Sequence, residues 1–342
     1  MPRFELPPEW APQSGVMITW PHADSDWRPW LDAVEPVYMA LARHITRREK
    51  LLVNCHSAGH VAARLRDAGA DPSRILLREI PSNDTWTRDY GPLTVMDRGR
   101  PHLLSFTFNG WGGKFAAPLD NLVTRRLHAS GAFGALPLTP IDLVLEGGSI
   151  EVDGRGSLLT TEQCLLTPTR NPHLGRSEIE VQLRAAFGVT RILWLRHGHL
   201  AGDDTDSHID TLARFCDPHT LAYVACDDRA DEHFEDLRGM EAELRALRDP
   251  QGEPYHLVPL PWPAAKYDPE DGRRLAASYA NFLIINGAVL VPTYQDPADG
   301  EALRRLAVCF PDRDIIGIDS LPLIRQNGSL HCITMQLPAG VV

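Results

Sequence analysis

Residues 149–161 read SIEVDGRGSLLTT, and they give the clearest indication of the fold class. Apolar runs flank Gly154-Arg155-Gly156 and predict two short strands, Ser149–Asp153 and Ser157–Thr161, joined by a hairpin turn that the positive φ of glycine permits. A helical pattern follows at Ser177–Phe187, and Arg191–Leu195 is a further strand-like run. The stretch therefore predicts a unit of two hairpin strands, a helix and a third strand.

The same order of elements recurs about every 60–70 residues, as in proteins built from supersecondary repeats. Comparable hairpin signals occur at Arg98–Pro101 and at Asn286-Gly287, the dipeptide that favours a type I′ turn. No Ser-rich, Gly-rich or charged linker divides the chain, because Asp249–Gly252 and Asp268–Arg273 are too short. We therefore predict an α/β fold of one domain, residues 1–342, built from repeats around an axis.

The remaining elements follow from apolar spacing and from Gly, Pro and Asn punctuation. Helices are predicted at Ala33–Arg47, Ala58–Ala68, Asp120–His128, Ala230–Leu247 and Pro297–Ala307. Strands are predicted at Gly15–Trp20, Lys50–Asn54, Arg74–Glu79, Leu93–Asp97, His102–Phe108, His256–Pro259, Asn281–Ile285, Ala288–Val291, Asp314–Ile318 and Leu330–Gln336.

Composition excludes several classes of function. The chain has 342 residues, of which 45 are Asp or Glu and 34 are Lys or Arg, and the net charge of −11 argues against a nucleic-acid partner. The acidic balance suits a small cationic ligand. No apolar run reaches the roughly 18 residues of a membrane helix, and the N-terminus lacks the apolar core of a signal peptide. Six cysteines without a CxxC pair predict free thiols and a cytoplasmic protein.

Two segments place reactive side chains next to strands. In Asn83–Pro92 (NDTWTRDYGP), Asp84, Arg88 and Asp89 surround Trp86, a residue that gains little from exposure in a loop. The simpler explanation is a turn in which Asp84 accepts backbone N–H groups and Arg88 pairs with an acid. In the second segment, Glu146 ends an apolar run and precedes two glycines, which allow close backbone approach.

Residues 196–210 (RHGHLAGDDTDSHID) are the densest segment in His and Asp. One hypothesis is a metal site, because both residue types bind zinc, iron and manganese. The other is acid–base chemistry by His208 beside a carboxylate. In a strand, His208 and Asp210 would share one face. A solvated acidic loop would explain Asp203 and Asp204 but not this pair.

Cys332 follows a Gly-containing turn and is predicted to open the last strand. A cysteine in such a place, with His and acids elsewhere in the chain, is a candidate nucleophile, although a small core residue is the alternative. Other catalytic motifs are absent from the sequence: it contains no GxSxG, no GxGxxG and no HExxH.

Seven motifs together identify a resemblance. They are NDTWTRDYGP, FNGWGGK, LEGGSIEVDG, TTEQCLL, DDTDSHIDTLARF, ANFLIINGAVLVPTY and GSLHCIT. From about Leu6 to Pro338 the chain resembles the agmatine deiminases of the Porphyromonas-type peptidyl-arginine deiminase family, a group of guanidine-modifying enzymes. The resemblance implies a pentein α/β-propeller of five ββαβ units around a pseudo-fivefold axis, with the active site in the central channel.

The resemblance also implies roles for eight side chains. Those expected in catalysis are Cys332 as nucleophile, His208 as general acid and base, and Glu146, which orients His208 or holds the guanidinium. Those expected to bind substrate are Asp89 and Asp210 at the guanidinium nitrogens, Trp86 and Trp111 as channel walls, and Asp84.

The implied reaction converts agmatine into N-carbamoylputrescine and ammonia through a covalent cysteine thiouronium, a step of putrescine biosynthesis. It needs no metal or organic cofactor, and its pocket should present no arginine to the tail of the substrate, because agmatine lacks a carboxylate. The resemblance further implies a homodimer or a larger assembly. The sequence departs from the family at Ser207, where Gly is usual, and at Gln326-Asn327-Gly328, where Gly-Gly-Gly is usual.

Three alternatives stay open at this point. One is a deiminase of free arginine or peptidyl-arginine. A second is a metal-dependent hydrolase that uses His197, His199, Asp206 and His208. A third is a non-catalytic binding protein on the same scaffold.

Overall fold

Strand pairing follows one pattern in five sheets of the computed structural model, which describes residues 4–342. Residues 1–3 of the predicted domain lie outside the described residues. The strands are β1 (Phe4–Glu5), β2 (Gln13–Thr19), β3 (Lys50–Cys55), β4 (Ile75–Glu79), β5 (Leu93–Asp97), β6 (Arg100–Thr107), β7 (Leu138–Val144), β8 (Glu151–Val152), β9 (Ser157–Thr161), β10 (Arg191–Leu195), β11 (Ala213–Asp217), β12 (Thr220–Val224), β13 (His256–Leu260), β14 (Lys266–Tyr267), β15 (Arg274–Leu275), β16 (Leu283–Ile285), β17 (Ala288–Thr293), β18 (Asp314–Asp319) and β19 (Thr334–Pro338).

Helices connect these strands. The α-helices are α1 (Leu31–Thr46), α2 (Ala58–Asp67), α3 (Thr87–Tyr90), α4 (Gly110–Gly113), α5 (Asp120–Ala129), α6 (Glu162–Leu165), α7 (Arg176–Phe187), α8 (Phe234–Ala246), α9 (Asp299–Cys309) and α10 (Leu321–Ile324). Single 3-10 turns lie at Arg28–Trp30, Pro72–Arg74, Gly147–Ser149 and Ile209–Thr211.

The hairpin predicted around Gly154-Arg155-Gly156 is confirmed. Strand β8 pairs antiparallel with β9, and β9 pairs in parallel with β10 after the crossover through α7. The same order occurs in β5–β6–β7, β11–β12–β13, β16–β17–β18 and β19–β2–β3, with α5, α8, α9 and α1 as the crossover helices. The last unit uses both ends of the chain, because the C-terminal strand β19 pairs with β2. The topology is a mixed α/β fold.

Three predictions of local structure need correction. The hairpin β11–β12 was not predicted, because its turn contains Pro218-His219 rather than Gly or Asn-Gly. His208 and Asp210 are not in a strand, since Ile209–Thr211 is a 3-10 turn. Cys332 does not open a strand either: it lies in a turn, two residues before β19 begins at Thr334.

The core explains why the apolar runs fold as they do. Val16, Met17 and Ile18 in β2 are fully buried, because β19 and β3 flank the strand and helices cover it. Helix α1 buries Val34, Val37, Tyr38, Leu41, Ala42 and Ile45, the spacing of one helical face. None of the helices within residues 4–342 combines the length and the apolar character needed to cross a bilayer.

Candidate active site

Cys332 lines a cavity and is 5% exposed. Its Sγ is 3.2 Å from Asn281 Nδ2 and 3.7 Å from Asp210 Oδ2. Asn281 Oδ1 also accepts the backbone N–H of His331 at 2.9 Å, so one amide side chain fixes the turn that carries the cysteine. Sequence reasoning missed Asn281, although it lies in the quoted motif ANFLIINGAVLVPTY.

Asp210 presents two different oxygens to its surroundings. Oδ2 is 2.7 Å from His331 Nδ1, whereas Oδ1 is buried and has no hydrogen-bond partner among residues 4–342. Burial opposes ionisation of this carboxyl, but the contact and charge of His331 outweigh it and lower the pKa of Asp210. An ionised carboxylate with one unused, buried oxygen is suited to accept an N–H from a ligand.

Asp89 is the second carboxylate of the site. Its Oδ2 accepts Trp111 Nε1–H at 2.9 Å, and its Oδ1 accepts the Gly148 N–H at 3.1 Å. Asp89 Oδ1 is also 3.7 Å from His208 Nδ1. Burial, reinforced by the Asp210 charge, raises the pKa of Asp89 well above its ordinary value. A cationic ligand would reverse this repulsion between like charges.

Gly148 marks the centre of these groups. A Cβ atom built on it would lie 2.7 Å from His208 Nδ1 and 3.0 Å from both Asp210 Oδ2 and Asp89 Oδ1. Real Cβ atoms essentially never approach within 3.0 Å, so a side chain here would displace its neighbours. The close backbone approach predicted for the Gly147-Gly148 pair is confirmed.

His208 is fully buried, and neither ring nitrogen has a hydrogen-bond partner within the described part of the chain. Its backbone is held instead: the N–H donates to Thr205 Oγ1 at 3.1 Å, and the carbonyl accepts Thr211 Oγ1–H at 3.0 Å. Burial lowers the pKa of His208 to about 3, even though the Asp210 charge opposes this effect. The resting imidazole is therefore neutral and has a free lone pair.

Glu146 is paired with an arginine that sequence reasoning did not single out. Arg170 Nε is 2.9 and 3.0 Å from the two Glu146 oxygens, and both side chains are buried. Arg170 also donates to Asp206 Oδ2 and to the Thr205 carbonyl, each at 2.7 Å. Arg170 thus ties Glu146 to the loop before His208, and the Glu146 oxygens and His208 nitrogens include atoms within 4.8 Å of each other.

The cavity above Cys332 has a volume of about 350 Å³. Trp86 and Trp111 form part of its wall, together with Asp84 and Asp89. Asp84 accepts the Thr85 N–H at 2.7 Å, and burial raises its pKa to about 7. The further lining residues are Asp26, Trp30, Phe115, Asp204, Thr205, Arg273, Arg325, Gln326, Asn327, Gly328 and Cys332. Four of the lining residues are aspartates, which favours a cationic ligand.

Two arginines also line the cavity. Arg273 donates to Asn327 Oδ1 at 2.5 Å, and Arg325 lies 2.9 Å from Glu270 Oε1 and stacks on Trp30. Both guanidinium groups therefore have partners within the protein. Asn327 adopts φ +69°, a conformation that asparagine tolerates.

The structure does not assemble the metal site considered from the sequence. His197 and His199 are exposed, whereas His208 is buried. Within residues 4–342, ligand atoms cluster in His22–Asp24–His56 and in Glu146–Cys164–His208. In the second group the Arg170 guanidinium already neutralises Glu146, which disfavours a divalent cation there.

Comparison with known proteins then decides the family. The model of the Porphyromonas-type peptidyl-arginine deiminase family matches residues 5–338. The chain belongs to this family. An agmatine deiminase of Stutzerimonas stutzeri is 37% identical over 99% of this chain and 96% of its own length. The motifs quoted above therefore belong to a match that spans nearly the whole chain.

Solved structures give the same result. A Porphyromonas gingivalis protein provisionally named an arginine deiminase is 52% identical, with a TM-score of 0.93 and 99% coverage of both chains. An agmatine deiminase of C. jejuni with substrate bound is 38% identical, with a TM-score of 0.92 over 99% of this chain and 97% of its own. An amidinotransferase from Microseira wollei shares the fold alone, at 11% identity and a TM-score of 0.54 over 98% and 97% of the two chains.

Proposed function

We propose that this chain hydrolyses agmatine to N-carbamoylputrescine and ammonia, with Cys332 as the nucleophile. One observation carries the proposal: a cavity lined by four aspartates reaches Cys332, whose Sγ lies 3.7 Å from Asp210 Oδ2, and among residues 4–342 Asp210 Oδ1 and both His208 ring nitrogens are buried without a hydrogen-bond partner. A planar guanidinium presents N–H groups to such carboxylates in a fixed geometry. The agmatine deiminases among its relatives support the same reaction class, hydrolysis of a carbon–nitrogen bond in a guanidine.

The first half of the reaction begins from a neutral thiol. Burial and the Asp210 and Asp89 charges hold the pKa of Cys332 well above its ordinary value. A guanidinium bound between the two carboxylates neutralises those charges, so the thiol proton can pass to His208 as sulfur attacks the guanidine carbon. His208 then gives that proton to the departing nitrogen, the carbon–nitrogen bond breaks, and ammonia leaves a thiouronium on Cys332.

The second half regenerates the thiol. His208 takes a proton from water, and the resulting oxygen nucleophile attacks the thiouronium carbon. The carbon–sulfur bond breaks and the proton returns from His208 to sulfur. The added oxygen loses its remaining proton to solvent, where the released ammonia takes up a proton to become ammonium, and a neutral ureido product leaves. Burial raises the pKa of Glu146, and the Arg170 charge opposes that shift. Held by Arg170 beside His208, the Glu146 carboxylate would stabilise the imidazolium that forms in each half. Trp86 and Trp111 exclude water from the reacting carbon, and Asp84 adds negative charge near the substrate tail.

We also infer the arrangement of the units. The five sheets with one pairing order would surround a pseudo-fivefold axis as a pentein propeller in a single domain, residues 1–342. In support, the site collects side chains from the ends of separate units. A cytoplasmic location and a homodimer are further expectations, which cell fractionation and light scattering would test.

Deimination of free arginine is the second candidate. The observation that favours it is the presence of Arg273 and Arg325 in the cavity wall, where a carboxylate of the substrate could reach them. Against it, both arginines already pair within the protein. Agmatine has no carboxylate and needs no arginine partner, so we favour agmatine over arginine as the substrate.

An ammonia assay with agmatine, free arginine and an arginine peptide tests this proposal, with Cys332→Ala as the blank. We expect the largest kcat/KM for agmatine and no turnover by Cys332→Ala. EDTA should leave the rate unchanged, which separates this chemistry from the metal-dependent alternative. Ammonia release from arginine or the peptide but not from agmatine would overturn the substrate assignment.

A further inference from the structure

The charged groups around His331, the residue before Cys332, form a network of which the catalytic steps above use only Asp210. Its members are Glu9, Arg88, Glu151, Asp210, Arg214 and His331. His331 lies next to the nucleophile in the chain, and Glu9 comes from the segment before β2. Neither His331 nor Glu9 lines the cavity, and both ring nitrogens of His331 contact carboxylates.

His331 lies between two carboxylates. Its Nδ1 is 2.7 Å from Asp210 Oδ2, and its Nε2 is 2.8 Å from Glu9 Oε1. The side chain is 1% exposed, so water does not compete for either contact. A neutral imidazole has only one N–H, and two such contacts need a second proton within the three groups. The two carboxylates favour that proton on the ring and fix the ring's orientation, although burial and the Arg214 and Arg88 charges lower the pKa of His331.

Glu9 is itself anchored from several sides. Oε1 also accepts Arg88 Nη1–H at 3.2 Å, and Oε2 accepts from Arg214 Nη2 and from Gln336 Nε2. Burial opposes the charge of Glu9, but Arg214, His331 and Arg88 outweigh it and hold its pKa well below the ordinary value. Glu9 is thus a fixed negative charge at the far end of the imidazole.

The contact with His331 restrains the Asp210 carboxylate. Because His331 occupies Oδ2, the carboxylate cannot rotate without breaking a short buried contact, and Oδ1 stays free. We propose that Glu9 and His331 are positioning residues that fix Asp210 so that Oδ1 receives a guanidinium N–H. This inference rests on the proposed function, since only a guanidine ligand gives Oδ1 this task. These three contacting side chains are called the Glu9–His331–Asp210 relay below.

The relay should leave a signature in the pH profile. The titratable and charged groups that face Asp210 are His208, His331, Arg88, Arg214, Asp89, Asp203 and Cys332. Within residues 4–342, the groups that hydrogen-bond to this carboxylate are His331 and the Cys332 thiol, and His331 lowers the pKa of Asp210. Removing His331 should therefore raise that pKa and move the acid limb of kcat/KM to higher pH.

Three variants and one control test the relay. His331→Leu removes both contacts, His331→Asn keeps an amide nitrogen near the position of Nδ1, and Glu9→Gln removes only the distant charge. His233→Asn is the control, because His233 is also buried and lies 2.6 Å from a carboxylate, that of Asp231, outside the site. For His331→Leu we expect kcat/KM to fall about 100-fold, mainly through KM.

His331→Asn should recover part of that loss, and Glu9→Gln should lower kcat/KM about tenfold. In both variants the acid limb of the kcat/KM profile should move to higher pH. The control should keep the wild-type limb. Wild-type kcat/KM and an unmoved acid limb in both His331→Asn and Glu9→Gln would overturn the relay, even if His331→Leu fails to fold. If wild-type protein releases no ammonia from any guanidine, the proposed function fails instead.

A readout without substrate then tests the relay separately. Iodoacetamide alkylation of Cys332 depends on the nearby Asp210 charge, which raises the pKa of the thiol. If His331→Asn and Glu9→Gln leave Asp210 protonated, the alkylation midpoint should move to lower pH than in wild type. An unmoved midpoint in both variants would overturn the relay.

Discussion

Adding one methyl group at Gly148 should disable the site without unfolding the protein. The new Cβ of Gly148→Ala would lie 2.7 Å from His208 Nδ1, where ordinary contact begins at 3.4 Å, so these atoms must separate by about 0.7 Å. Asp89 and Asp210 must each give way by about 0.4 Å from their 3.0 Å contacts. Displacements of this size at reacting groups cost about 100-fold in rate.

Ammonia release at varied agmatine concentration measures this loss, and urea unfolding measures stability. We expect kcat/KM to fall about 100-fold, and the free energy of unfolding to fall by about 1–3 kcal/mol, the usual cost of overpacking. Gly59→Ala is the matched control, because nothing lies within 4 Å of a Cβ there, and alanine favours helix α2 by up to about 1 kcal/mol. Wild-type kcat/KM in Gly148→Ala would refute the placement of His208, Asp89 and Asp210 around one guanidinium.

Three further predictions concern stability. Ser207→Gly should raise the free energy of unfolding by about 1 kcal/mol, because Ser207 has φ +64° and a buried Oγ without a partner; an equal gain in Ser207→Ala would contradict the backbone explanation. Arg170→Met should cost about 3–5 kcal/mol by leaving Glu146 buried and unpaired. In the Arg170→Met variant, adding Glu146→Gln should restore part of the lost free energy of unfolding, measured in urea. Strictly additive losses from the two substitutions would argue against the Arg170–Glu146 ion pair. Burial raises the pKa of Glu49 from 4.5 to about 7. The difference in pKa stabilises the folded state fully below pH 4.5, and this stabilisation is lost progressively as the pH rises to about 7. The free energy of unfolding of Glu49→Gln should therefore rise relative to that of wild type as the pH increases from 5 to 8. A difference that does not change with pH would contradict this.

Much of the fold follows from local sequence signals. The hairpins at Gly154–Gly156 and Asn286-Gly287 and the crossover helices have turn residues and apolar spacing that specify them without tertiary contacts. The hairpin β11–β12 lacks a glycine turn: the Asp217 carboxylate accepts the His219 N–H at 2.7 Å within the turn. Pairing of β19 with β2 joins the two ends of the chain, and no local pattern encodes it.

The site shows the same division. The motifs indicated Cys332, His208 and Asp210, and the structure brings them together even though their predicted strand geometry was wrong. Asn281 and Arg170 were missed, because an isolated Asn or Arg in sequence does not reveal which buried atom it contacts. Burial is the largest influence on the protonation of the Cys332 thiol and the His208 imidazole. Composition does not show which side chains are buried.

The central claim is a covalent intermediate on Cys332, and intact-protein mass spectrometry tests it most directly. Wild-type protein and the slow variant His208→Ala would be mixed with agmatine and quenched in acid. The account predicts a mass increase of about 113 Da, which is agmatine less ammonia, on a peptide containing Cys332 and absent from Cys332→Ala. Turnover of agmatine with no adduct in either protein, or an adduct that persists in Cys332→Ala, would contradict it.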